Sequence, residues 1–108
     1  MAFSVQQDSD PRAYRLVGEL DLATCDELVD RLEPAVRGHG DIRLDLAGVQ
    51  FMDSSGIHAL VEASRKLGDR GRVVVRSPSR EVARVFEVLA QIFSNVLVDG
   101  DGHPVKEV

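Results

Sequence analysis

The chain has 108 residues, room for one hydrophobic core, with 44% apolar and 29% charged residues, the balance of a water-facing globular domain. Its formal charge of −5 excludes the broad positive footprint that nucleic-acid phosphates require, and no window approaches the roughly 18 apolar residues of a membrane span. A single cysteine, Cys25, cannot form an internal disulfide, and Met1 to Val5 lacks the basic and apolar blocks of a secretory leader, so a cytoplasmic single domain over residues 1–108 is expected.

Phe3 and Val5 alternate with polar neighbours, Asp8-Ser9-Asp10-Pro11 reads as a turn, and a second strand over Tyr14 to Val17 completes a hairpin that Gly18 closes. Thr24 and Glu27 have the spacing of a capping box, and Leu28, Leu32, Ala35 and Val36 recur at helical spacing up to Gly38. Pro34 removes a helix hydrogen bond and is expected to kink the last turn or end the helix early. Ile42, Leu44 and Leu46 alternate with Arg43 and Asp45, the pattern of a strand buried on one face only. A short loop then leads to a helix from Ser54-Ser55-Gly56 through Ile57, Leu60, Val61 and Leu67, stopped near Gly68. Val73 to Val75 reads as a strand buried on both faces. Ser77 as cap and Pro78 at the first helical position open a third helix with Val82, Val85, Phe86 and Leu89 as its buried stripe. Val96 to Val98 is a last strand, and residues 99–108 form a polar tail. The order β-β-α-β-α-β-α-β predicts an α/β domain: a mixed sheet of four to five strands, parallel but for the opening hairpin, with helices mainly on one face.

The stretch richest in chemistry is Val49-Gln50-Phe51-Met52-Asp53-Ser54-Ser55-Gly56-Ile57, where a carboxylate and two hydroxyls meet at a helix start. Taken alone, the pattern fits simple capping, because Asp and Ser are both favoured N-cap residues. Ser54 lacks the flanking glycines of a nucleophile elbow, and His39 and His103 have no partners at metal-ligand spacing. No catalytic residue, metal or other cofactor is therefore expected. A phosphocarrier would need an exposed histidine at the helix start, where this chain has serine.

The string Phe51-Met52-Asp53-Ser54-Ser55-Gly56-Ile57 resembles the signature of the anti-sigma factor antagonists of the STAS family, whose fold is shared with the cytoplasmic domain of sulphate transporters. Gly18-Glu19-Leu20-Asp21, and Asp45-Leu46 followed by Val49, are similar to further strings of that family, and the resemblance runs from about Tyr14 to Val98. It implies an anti-sigma factor antagonist, not an enzyme. The first serine after the aspartate, here Ser54, would be phosphorylated by an ATP-dependent anti-sigma factor kinase. The unphosphorylated form would bind that kinase and free its sigma factor, and a PP2C-type phosphatase would reset the switch. It also implies a partner surface made of Asp21, Asp53, Ser54, Ser55, Gly56 and Ile57.

Bland readings stand beside several of these. Asp21 also fits a helix-start cap, the Ser55 hydroxyl reads as structural capping, and Gly56 serves either close approach of a partner or tight helix packing. His58 stands where many family members have glycine; it either narrows the choice of kinase, adds pH sensitivity, or simply faces solvent. The third helix lacks a glycine common in the family, which leaves the connection over Ala90 to Asn95 open. The alternative function is a STAS interaction or ligand-sensing module that never meets a sigma-directed kinase.

Overall fold

The computed structural model describes residues 3–93 and 97–98. Strand β1 (Ser4–Gln7) pairs antiparallel with β2 (Ala13–Leu20), and Asp10 shapes the turn between them by accepting the Arg12 amide at 2.8 Å. Strands β3 (Ile42–Met52), β4 (Val73–Arg76) and β5 (Leu97–Val98) follow in spatial order β1-β2-β3-β4-β5, all parallel to β2. Helices α1 (Cys25–Arg37), α2 (Ser54–Leu67) and α3 (Arg80–Phe93) make the three crossovers. Each crossover steps to the next neighbour in the same direction, so a common right-handed turn stacks the helices in one layer.

Burial follows the pleat. Tyr14, Leu16 and Leu20 of β2 and Ile42, Leu44 and Leu46 of β3 are buried, whereas Arg15, Glu19 and Arg43 are exposed on the other side. Leu28, Leu32, Ala35 and Val36 of α1 and Ile57, Leu60, Val61 and Leu67 of α2 complete the core, with Val82 and Phe86 of α3. Val85 is partly buried. Val73, Val74 and Val75 are all buried, as the unbroken apolar run predicts.

Several expectations need correction. Strand β2 does not end at Val17: Gly18 lies inside it with φ 108°, beside a register shift that a left-handed glycine accommodates. Strand β3 runs on to Met52, through the segment predicted as a loop. Register shifts against β2 change the phase of its alternation after Leu46, and Val49, Phe51 and Met52 still pair with Gly18, Glu19 and Leu20. Helix α1 passes through Pro34 to Arg37, so the early end does not occur. Helix α3 is capped by Ser79 rather than Ser77: the Ser79 hydroxyl accepts the Val82 amide at 3.3 Å and donates to the Val49 carbonyl at 3.2 Å. Ser77 instead takes a left-handed φ of 54° in the loop before it. The Leu89 side chain, Val96, part of the Ala90 to Asn95 connection and residues 99–108 lie outside the described residues.

The end of the sheet where β3 begins is held by two arginines. Arg12 donates to the carbonyls of Ala35 (2.8 Å) and Gly40 (2.6 Å), and Arg70 to those of Val36 (2.8 Å) and Gly38 (3.1 Å). Gly71 packs so closely on the Gly40 carbonyl that no side chain fits there. The opposite end, where β2 and β3 finish, carries the candidate site.

Candidate functional site

Leu20 and Met52 are register partners at the ends of adjacent parallel strands, so Asp21 and Asp53 leave the sheet side by side. The Asp53 amide donates to the Leu20 carbonyl at 3.3 Å and ties the two exits together.

Asp53 is the N-cap of α2. Its backbone is extended (φ −109°, ψ −172°), and its Oδ1 accepts the amides of Ser55 (2.9 Å) and Gly56 (3.4 Å). Its carbonyl accepts the amides of Gly56 (3.1 Å) and Ile57 (3.3 Å). One aspartate therefore satisfies the orphan donors of the first turn, apart from the Ser54 amide. Ser54 is exposed, and neither its hydroxyl nor its amide has a hydrogen-bond partner among the described residues. The Ser55 hydroxyl does not cap, contrary to expectation; the cap acts on its amide.

Gly56 is buried. A β-carbon there would stand 2.8 Å from Met52 Cγ and 2.9 Å from Leu20 Cγ, so tight packing of α2 onto the two strand ends accounts for this glycine. Ile57 is buried beneath the same turn. Both hold the serine in place from inside, and only Asp53, Ser54 and Ser55 of the string's helix start reach solvent. His58 is exposed, as the solvent-facing reading has it.

Asp21 builds a separate turn. Its Oδ1 accepts the amides of Ala23 (3.0 Å) and Thr24 (3.2 Å). The Thr24 hydroxyl accepts the Asp21 amide at 3.0 Å and donates to the Glu19 carbonyl at 2.8 Å. The expected capping box with Glu27 is therefore absent, because the threonine oxygen points back to the strand end. Asp21 therefore orders the turn ahead of α1 and does not cap the helix itself, whose N-cap is Thr24, and it stays partly exposed beside Asp53.

Two neighbours of the site were missed in the sequence: Leu22, 76% exposed, and Phe51, 48% exposed. Phe51 lies on the open face beside its register partner Glu19, and Leu22 stands out from the Asp21 turn. The available signal was that no periodic segment claims Leu22, while Phe51 precedes the buried Met52 in the same strand.

The comparisons with known proteins bear on the family and the fold. The family model described as STAS domain matches residues 2–97. An anti-sigma-B factor antagonist of Staphylococcus epidermidis is 32% identical over 73 residues, covering 66% of this chain and 68% of the relative. The structure of the anti-sigma factor antagonist SpoIIAA in its unphosphorylated form superposes with a TM-score of 0.65 at 24% identity, covering 92% of this chain and 88% of that one. An anti-sigma factor antagonist from Mycobacterium paratuberculosis gives 0.68 at 22% identity, covering 90% and 86%. The structural matches share the fold, the sequence relative shares the lineage, and the family model spans nearly all the described residues: the chain belongs to the STAS domain family.

Proposed function

We propose that this protein is an anti-sigma factor antagonist. Its unphosphorylated form binds an anti-sigma factor kinase at the Asp21–Asp53–Ser54 end and releases the sigma factor, and phosphorylation of Ser54 ends that binding. The observation that supports this reading is the division of labour at the start of α2: Asp53 caps the helix, so the Ser54 hydroxyl is exposed and uncommitted. In the transfer, Ser54 Oγ attacks the γ-phosphorus of ATP, ADP leaves, and the hydroxyl proton passes to a base on the kinase. A PP2C-type phosphatase returns the serine by hydrolysis.

A phosphate adds about −1.5 to −2 charges at neutral pH. The helix N-terminus favours an anion by ~0.3–1 kcal/mol, but Asp53 opposes it and already occupies the Ser55 and Gly56 amides. Only the Ser54 amide is left for the phosphate, which otherwise faces outward, and its effect falls on the interface. Against a kinase that still holds nucleotide phosphates, a buried dianion without an arginine partner is costly, and a hundredfold loss of affinity needs only about 2.8 kcal/mol.

The test is incubation with ATP and each anti-sigma factor kinase of the source organism, followed by mass-spectrometric mapping. Phosphate is expected on Ser54; modification of Ser55 or another serine with Ser54 untouched would overturn the assignment. Ser54→Asp should abolish kinase binding with the circular dichroism spectrum and Tm close to wild type, whereas an unfolded variant would make the segment a structural element only.

A further inference from the structure

The two segments that form the site carry charge of one sign, while exposed Arg80 stands beyond them at the start of α3. Glu19, Asp21, Asp26, Glu27 and Asp53 are gathered in residues 19–27 and 50–58, which contain no lysine or arginine. None of the five is in an ion pair among the described residues, whose salt bridges join Arg15, Arg37, Arg43, Arg65 and Arg72 to acids elsewhere. Inside this acidic field stand Leu22 and Phe51, the large hydrophobic residues left exposed among the described residues.

We propose that Leu22 is the anchor by which this chain selects its partner, and that the partner offers there an apolar pocket ringed by lysine or arginine side chains. The inference rests on the antagonist reading above and extends it to the chemistry of the partner. The Leu22 backbone is fixed before binding. Asp21 Oδ1 holds the amides of Ala23 and Thr24, the Thr24 hydroxyl bridges the Asp21 amide and the Glu19 carbonyl, and the Cys25 thiol donates to the Leu22 carbonyl at 3.4 Å. A side chain displayed on an ordered turn still loses its rotamer freedom when buried but little further backbone freedom, which favours it as an anchor. Phe51 is also exposed, on the neighbouring strand. The surrounding carboxylates require positive charge opposite them, because like charges across an interface repel and opposite ones steer the encounter. The two electrostatic effects act at different places: the rim carboxylates meet the partner's cations, and Ser54 meets the nucleotide.

The experiment is calorimetric titration of the anti-sigma factor kinases against wild type, Leu22→Ser and the Asp26→Asn/Glu27→Gln double variant over a range of salt, with the melting temperature of each variant measured. The expected results are three. Leu22→Ser weakens binding roughly 10- to 100-fold, the burial of one leucine at tenfold per 1.4 kcal/mol. It raises the KM for Ser54 phosphorylation and leaves kcat unchanged. The double variant flattens the salt dependence of association. Wild-type affinity for Leu22→Ser, or wild-type binding indifferent to salt, overturns this inference and leaves the antagonist reading standing. A wild-type protein that binds none of the kinases overturns both.

Discussion

Replacing Gly56 by alanine separates the two roles a glycine at this position can have. The added methyl would stand 2.8 Å from Met52 Cγ, 2.9 Å from Leu20 Cγ and 3.0 Å from Leu20 Cδ2. Carbon atoms pack at about 3.5–4.0 Å, so these neighbours would have to retreat by roughly 0.5–1 Å. Both belong to the packed core. Leu20 is 0% and Met52 2% exposed, they are register partners, and the Asp53 amide is bonded to the Leu20 carbonyl. Overpacking of this kind costs about 1–3 kcal/mol. Alanine's better helix propensity offsets at most ~1 kcal/mol, and less in a first turn. The net destabilisation is about 1–2 kcal/mol, a fall in Tm of about 5–10 °C for a domain of this size. Thermal unfolding followed by circular dichroism reads this directly, and Ser54 should still be phosphorylated well below the transition. A variant that melts at or above the wild-type temperature yet no longer binds the kinase would refute the packing role and give Gly56 to the partner.

Asp53→Ala removes the cap on Ser55 and Gly56 and should cost about 0.5–2 kcal/mol, with Asp53→Asn retaining most of that stability in the same melting experiment. Thr24→Ala should cost ~1 kcal/mol through the lost bonds to the Asp21 amide and the Glu19 carbonyl, while Glu27→Ala stays within about 0.5 kcal/mol; a larger loss for Glu27→Ala would restore the capping box. Arg12→Ala strips two carbonyls of a charged donor and should lower stability by about 2–3 kcal/mol, part of it offset because Arg12 Nε is buried without a partner. Urea unfolding should then show a lower midpoint at unchanged slope.

Those parts of the fold whose burial has a simple period were legible in the sequence. Ile42, Leu44 and Leu46 announced a strand wet on one side, and Leu28, Leu32, Ala35 and Val36 a helix, because each set is the buried face itself. The far half of β3 was illegible for the same reason: extra residues opposite β2 shift the alternation, and no period of two survives through Val49 and Met52. The start of α3 was decided at long range. Ser77 and Ser79 flank Pro78 and look alike locally, but only Ser79 also reaches the Val49 carbonyl. Thr24 failed similarly, its hydroxyl drawn to Glu19 although the spacing to Glu27 was right. At the site, the string located Asp53 and Ser54 but could not tell which of the clustered oxygens caps the helix. The exposure of Leu22 was beyond it too, since an apolar residue in a turn has no periodic context.

The identity of that capping oxygen decides how the phosphorylation proposed for Ser54 would act. Had Ser54 capped α2, its hydroxyl would be engaged with the first-turn amides, and a phosphate there would have to displace or reorganise that turn. Asp53 removes this coupling. Its Oδ1 and carbonyl take the Ser55, Gly56 and Ile57 amides, while Gly56 and Ile57 lock the turn onto Leu20 and Met52 from below. Apart from the Ser54 amide, the helix start is therefore satisfied whatever Ser54 carries. The proposed modification of this serine would change charge and hydration with little change of shape. On the proposed function, a domain that alters only its surface charge has no internal readout, so the consequence would be registered by the partner proposed for the Leu22-bearing end.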